Sequence, residues 1–298
     1  MMERTDAVFD GAPGVRLVAD TFGDPDAPPV LMLHGGGQTR HAWDRTAIGL
    51  ASSGWRAITI DLRGHGESTH PQPPAYGLED FAADVRAVIA AIPRRPLVIG
   101  ASLGGIAALL AVTEPPTACV TGLVLVDVAH RFQARGGSRI VSFMEEHPDG
   151  FASLADAARA IDAYLPRRAR PRDISGLRHN LRHSGGRWTW HWNQGVLDEA
   201  RRLMQDQAQI AGRLAKAATC LREPCLLVRG AESDVLTPSI AAEFIGLVET
   251  ATMAEVPHAG HMVAGDNNDA FTAAIHDWLE TFASSDSTRA ARRTAGSD

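Results

Sequence analysis

Short apolar runs that alternate with helical stretches, interrupted by one long helical insertion, predict an α/β fold. The expected form is a mostly parallel sheet flanked by helices, with an inserted helical cap. Three observations carry this reading. Val30-Leu31-Met32-Leu33, Ala57-Ile58-Thr59-Ile60 and Gly122–Val126 are the kind of run that is buried on both faces of a parallel sheet. Leu78–Ile92 repeats at helical spacing, with Phe81, Val85, Val88 and Ile89 on one face. From Ala129 to Lys216 no strong apolar strand run occurs, and helical patches replace the alternation.

In chain order, residues 7–20 predict two short strands around Gly11-Ala12-Pro13-Gly14, and Asp24–Pro29 predicts a turn. The strand Val30–Leu33 ends in His34-Gly35-Gly36-Gly37-Gln38, and a helix is expected over Trp43–Ser52. The strand Arg56–Ile60 ends in Asp61-Leu62-Arg63-Gly64-His65-Gly66-Glu67-Ser68, with a loop at Pro71–Pro74 before the helix Leu78–Ile92. The strand Pro96–Ile99 runs through Gly100-Ala101-Ser102-Leu103-Gly104 into the helix Ile106–Val112. Gly122–Val126 then leads to Asp127. Helical patches at Ser138–Glu146, Ser153–Tyr164 and Leu197–Lys216 surround an Arg-rich connector, Arg167–Arg172. The core resumes with the strand Cys225–Gly230, the helix Pro238–Val248, the strand Ala251–Val256 and a closing helix Asn268–Phe282. The division expected is a core at 1–128 and 217–283, a cap at 129–216, and a small, polar, disordered tail at 284–298.

The chain has 298 residues, 45% hydrophobic and 21% charged, as expected of a globular protein with one catalytic core and an insertion. A net charge of −6 argues against a nucleic-acid partner. No run approaches a membrane span, and the N-terminus lacks a signal-like apolar region. Cys119, Cys220 and Cys225 have no metal-ligand spacing and read as buried thiols, so a cytoplasmic location is expected. Residues 129–216 carry 15 Lys/Arg against 9 Asp/Glu. These charges read as solvated helix faces; a second reading is a basic cap that draws anionic substrates to the mouth below it.

The chemistry centres on Gly100–Gly104. A Gly-x-Ser-x-Gly between strand and helix puts Ser102 on a sharp turn, with Leu103 and the next amides at a helix N-terminus that favours an anion. A serine nucleophile needs a base, and the base needs an orienting carboxylate, expected in the order Ser, Asp/Glu, His at later strand ends. His261 is the expected base, with His258 its competitor. Asp234 is the expected acid, with Glu232 and Asp127 as rivals; Asp127 follows the strand directly after the elbow helix. The oxyanion hole is expected to pair the Leu103 N–H with that of Gly36, where a glycine admits close approach. His34 is expected to brace that loop. No metal or organic cofactor is needed for this chemistry, and the expected partner is a small-molecule substrate.

His34-Gly35-Gly36, Asp61–Ser68, Gly100–Gly104, Asp234 and Gly260-His261, in this order, resemble the α/β-hydrolase superfamily in its capped esterase/lactonase-like branch. The resemblance spans nearly the whole chain outside the cap. It implies a serine hydrolase acting on a carboxylic ester, lactone or thioester, and a structural role for the Asp61–Ser68 turn. Members that open epoxides or displace halide carry an aspartate where this chain has Ser102, and epoxide openers use cap tyrosines, of which only Tyr164 is present. Carbon–carbon bond hydrolases and cofactor-free perhydrolases or haloperoxidases share the same triad and remain alternatives, as does a non-catalytic receptor. For substrate contacts the sequence offers Gln38 in the loop after the first core strand, and Phe143, Met144, Trp188, Trp190 and Trp192 in the cap. The three tryptophans alternate, so they would share one face of an extended segment, either as an apolar wall above Ser102 or as packing between cap and core.

Overall fold

The computed structural model describes residues 4–165 and 173–280. The Arg167–Arg172 connector and the tail from 284 lie outside the described residues.

The chain opens with β1 (Arg4–Asp10), β2 (Arg16–Phe22) and β3 (Pro29–Leu33). A 3-10 turn at Arg40–Trp43 leads into α1 (Asp44–Ser52), β4 (Arg56–Ile60), α2 (Leu78–Ala91), β5 (Leu97–Ala101), α3 (Leu103–Thr113) and β6 (Gly122–Val126). The insertion comprises α4 (Ala134–Glu145), α5 (Leu154–Tyr164), β7 (Leu181–Ser184), β8 (Arg187–Trp190), α6 (Gln194–Gln205) and α7 (Gln207–Cys220). Then follow β9 (Cys225–Gly230), α8 (Pro238–Leu247), β10 (Ala251–Val256), the short α9 (Val263–Asp266) and α10 (268–280).

Eight strands form one sheet in the order β1-β2-β4-β3-β5-β6-β9-β10. β2 runs antiparallel to both β1 and β4, and every later pairing is parallel. The apolar runs are buried because each central strand feeds two cores through its alternating side chains. Leu31, Leu33, Val98, Leu123, Leu125 and Leu227 pack toward α2, α3, α7 and α8. Val30, Met32, Leu97, Ile99, Val124, Val126, Leu226 and Val228 pack toward α1 and α10, around Trp43 and Phe271. α3 is buried almost all round, which is why its sequence shows no polar face.

The insertion differs from an all-helical cap. β7 and β8 form an antiparallel hairpin closed by Gly185-Gly186, both at positive φ. Strand alternation there is masked by charged and aromatic side chains, so no apolar run announces it. The expected helical patch Leu197–Lys216 is two helices broken at Asp206. Of these, α7 buries Ile210, Leu214, Ala217 and Ala218 in the same core as α3. Most cap arginines among the described residues sit in ion pairs, such as Arg201 with Glu145 and Asp198, and Arg213 with Glu79 and Glu114. The expectation of three buried thiols holds only for Cys225, whose thiol burial pushes up to about 12; Cys119 and Cys220 are exposed.

The turn at Ser102 depends on close backbone approach. A Cβ on Gly104 would lie 2.6 Å from the carbonyl oxygens of Leu33 and His34, and one on Gly100 would lie 2.6 Å from Gly105 Cα. Backbone atoms cannot yield as a flexible side chain does. Gly104→Ala should therefore cost about 1–3 kcal/mol in urea unfolding, the usual range for overpacking. Gly212, inside α7 with nothing within 4 Å of its would-be Cβ, is the matched control. Gly212→Ala should gain roughly 0.5–1 kcal/mol from helix propensity.

Candidate active site

Ser102 caps α3 in a sparsely populated conformation, φ 46° and ψ −116°, held because its N–H donates to Val126 O (3.2 Å) and Ile106 N–H donates to Ser102 O (3.0 Å). β5 and β6 are neighbours in register, Ala101 opposite Val126, so the next residues, Ser102 and Asp127, leave adjacent strand ends together.

The carboxylate that His261 meets is Asp127, not the Asp234 of the sequence reading. Asp127, with no solvent exposure, takes His261 Nδ1 on Oδ2 at 2.8 Å. Its Oδ2 also accepts from Ser233 Oγ (2.5 Å) and its Oδ1 from Gly230 N–H (3.0 Å). Asp234 is half-exposed and turned away, its carboxylate gripped by Arg139 of α4 through Nε (2.9 Å) and Nη2 (3.1 Å). The physical reason lies at Gly230, the last residue of β9. A Cβ there would lie 2.2 Å from Gly260 O. The loop after β10 thus lies directly on the end of β9 and carries His261 across it to β6. The turn Ala231–Asp234 is displaced outward, and only Ser233 of that turn points back. Glu232 is tied through its N–H to Ala259 O, and His258 is 89% exposed on the outside of the loop. With Nδ1 committed to Asp127, His261 has Nε2 left to take a proton.

The loop after β3 is held peptide by peptide. His34 Nδ1–H (2.7 Å) and Gln38 N–H (3.1 Å) both donate to Gly35 O. In a trans peptide the N–H points opposite to the carbonyl, so these bonds aim the Gly36 N–H the other way. Gly35 N–H donates to Gln38 Oε1 (2.9 Å) and Gly37 N–H to His65 Nε2 (3.1 Å). The Gly36 N–H makes no hydrogen bond among the described residues, nor does the Leu103 N–H at the head of α3. Gly36 lies against the Leu103 side chain, with 4.0 Å from its would-be Cβ to Leu103 Cδ2. Two free amides on adjoining loops are what an anion hole requires.

Cap residues divide into two groups. Met144 and Trp192 reach the loop, at 3.6 and 3.5 Å from the would-be Cβ of Gly37. Trp190 stacks on Trp192 (4.7 Å between centroids), and Phe143 meets Trp190 edge-on (5.5 Å) and stacks on Tyr164 (4.1 Å). Trp188 does not belong with them. It bridges to Phe151 and lies against His183 and the Arg178 guanidinium, within the cap's own small core. Gln38 also departs from expectation, since its carboxamide is spent on Gly35 and on Met262 Sδ (3.6 Å).

The Asp61–Ser68 turn is a brace, as the resemblance implied. Ser68 Oγ donates to Asp61 O (2.6 Å) and accepts from Val18 N–H (2.9 Å), and Arg63 makes a buried fork onto Asp84. The sequence reading did not single out Ser233, His65 or His191 for any role at the site. His191 was legible only as one residue in a tryptophan-rich stretch. Asp20, His41 and Asp44 bring three ligand-type atoms within 4.8 Å of one another. The Arg40 guanidinium, 3.1 Å from Asp20, already supplies a cation there.

Against this geometry, residues 30–274 match the alpha/beta hydrolase family, and the chain belongs to it. An esterase of Mycobacterium tuberculosis is 30% identical over 274 residues, spanning 86% of this chain and 84% of its own length. An sn-1-specific diacylglycerol lipase of Mus musculus is 28% identical over 269 residues, spanning 86% and 82%. The crystal structure of E-2-(acetamidomethylene)succinate hydrolase superposes with a TM-score of 0.81 at 20% identity, covering 93% of this chain and 100% of that one, a likeness of fold. No helix among the described residues is long and apolar enough to cross a membrane.

His34, His65 and His191 are buried, and desolvation lowers each from 6.5 to about 3. Their bonds require neutrality as well, because each uses one ring nitrogen as an acceptor from a backbone N–H. A histidine whose folded pKa is depressed binds its proton in the unfolded chain first. Stability from these groups is therefore full above about pH 6.5 and is lost as pH falls from there toward 3. Urea midpoints measured from pH 7.5 down to 4.5 should fall steadily, with uptake on unfolding of up to about three protons from these side chains.

Proposed function

We propose that this protein is a serine hydrolase of carboxylic esters, working through an acyl-enzyme. Ser102 Oγ attacks the carbonyl carbon while His261 Nε2 takes its proton. The C=O π pair moves onto oxygen, and the Gly36 and Leu103 N–H groups stabilise that charge. Asp127 holds the imidazole by Nδ1 and stabilises the imidazolium. His261 then protonates the leaving alkoxide as the tetrahedral centre collapses to the acyl-Ser102. Water, deprotonated by His261, repeats the sequence and releases the acid. The observation that carries this reading is the hydrogen bond from His261 to the buried Asp127, at the strand end beside an N-capping Ser102. The esterase and lipase relatives support an ester as the scissile group. Met144 and Trp192, backed by Trp190 and Phe143, supply an apolar and aromatic wall, which suits an apolar or aromatic acyl or alcohol part.

The test separates the two aspartates. With p-nitrophenyl esters of graded acyl length, Ser102→Ala should abolish turnover and fluorophosphonate labelling. Asp127→Asn should lower kcat by about 10⁴-fold, the loss expected when the orienting carboxylate becomes an amide. Asp234→Asn should leave kcat close to wild type. The reverse order for the two aspartates would refute the assignment of Asp127. Products assayed as one acid and one alcohol per turnover, without oxygen consumption, distinguish ester hydrolysis from carbon–carbon cleavage or peroxide chemistry.

A further inference from the structure

His191 belongs to the cap yet is only 2% exposed, and both its ring nitrogens are engaged with core backbone. Nδ1 accepts from Gly66 N–H at 2.8 Å, and Nε2–H donates to Gly37 O at 3.3 Å. Gly66 belongs to the turn that also supplies His65, and His65 Nε2 accepts the N–H of the same Gly37. Gly37 is thus held from both sides, its N–H by the core and its carbonyl by the cap. Gly37 is at φ 75°, where a glycine has several conformations open to it and needs outside bonds to choose one. The neighbouring Trp192 covers its Cα, and Asn193 N–H donates to Gly64 O at 2.9 Å, so the segment 191–193 docks as a unit along this seam. His34 and His65 fix the peptides on either side of Gly36 from within the core. The Gly37 carbonyl depends on His191, while the N–H of the same peptide, that of Gln38, donates to Gly35 O.

We infer that His191 is a positioning residue through which the docked cap sets the conformation of Gly36-Gly37, and with it the aim of the Gly36 N–H at the developing oxyanion. The inference rests on the ester-hydrolase reading above. It adds that the anion hole is complete only when the cap is seated. The bond pattern also fixes His191 as the neutral Nε2–H tautomer.

The experiment compares wild type with His191→Phe and His191→Gln on a p-nitrophenyl ester, with fluorophosphonate labelling of Ser102 followed in time. His191→Phe should lower kcat by about 10²-fold, the scale of a misplacement near 1 Å, with KM little changed. The labelling rate should fall in parallel, while labelling still goes to completion. His191→Gln, whose amide can both donate to Gly37 and accept from Gly66, should recover much of the loss. Imidazole 15N spectra of wild type should show a buried Nε2–H ring that is missing from both variants, beside that of His130, whose Nε2 faces Glu243. A His191→Phe enzyme with normal kcat, or one whose loss lies in KM alone, would overturn the positioning role. An Nδ1–H tautomer would overturn it even if His191→Phe does not fold. Absence of Ser102 labelling in wild type would instead overturn the hydrolase reading, and this inference with it.

Discussion

The Asp127 carboxylate sits without solvent exposure at the end of β6 and joins three strand ends through the donors it accepts. Gly230 N–H comes from β9, Ser233 Oγ from the turn after β9, and His261 Nδ1 from the loop after β10. A buried carboxylate short of donors would be costly, whereas one supplied with three is stable and fixes each donor in place. Ser233 Oγ in turn accepts from Val235 N–H (3.2 Å) and Leu236 N–H (3.1 Å), so the turn that launches α8 is built around the same carboxylate. Its position follows from sheet order. β6 lies between β5, which carries Ser102, and β9, over which the β10 loop must cross. Glycine at 230 is what lets that loop pass.

The second constraint is neutrality. Three buried histidines line up from β3 through the Asp61–Ser68 turn to the cap, with centroids 4.9 Å apart for His34 and His65 and 5.8 Å for His65 and His191. As cations they would repel one another and each would lose a backbone donor it now satisfies. As neutral rings they act as rigid two-ended connectors, one nitrogen donating and the other accepting, which a charged side chain cannot do. This explains why a loop rich in glycine can nonetheless hold a single geometry. The flexibility that lets Gly35 approach Ser102 and Gly36 lie against Leu103 is removed by hydrogen bonds rather than by side-chain bulk.

Most of the sheet was legible because its strands are buried on both faces. Arg56–Ile60, Gly122–Val126 and Cys225–Gly230 lie where the apolar runs put them, and the edge strand Ala251–Val256 also lies where it was expected although much of it is exposed. Ser102 was legible because backbone crowding demands the glycines at 100 and 104, whereas Gly260 beside His261 is uncrowded and His261 was read from its place after the last strand. The choice between Asp127 and Asp234 was not. Both follow strands at the C-terminal edge, and deciding between them requires knowing which strands are neighbours and which way a four-residue turn leans. The β7–β8 hairpin escaped because its partners are Arg182, His183, Thr189 and tryptophans, a pairing that carries no apolar alternation. Trp188, Trp190 and Trp192 do alternate, but the chain leaves the strand after Trp190. Trp192 therefore answers to the core and Trp188 to the cap.

The corrected aspartate and the unforeseen histidine both tie the cap to the core, and magnitudes rank them. Arg139 and Asp234 are each more than 40% exposed, and such a pair contributes about 0–1 kcal/mol, screened further by salt. His191 satisfies a buried-side N–H of Gly66 and a carbonyl of Gly37, and leaving either without a partner costs about 1–3 kcal/mol. The surface pair can break at little cost, yet α4 keeps other holds: a Cβ on Gly136 would lie 2.4 Å from Asp234 O, and Met144 is buried in the main core. The histidine cannot break without disturbing the loop beneath it. The segment 191–193 is registered on Gly37, Gly64 and Gly66.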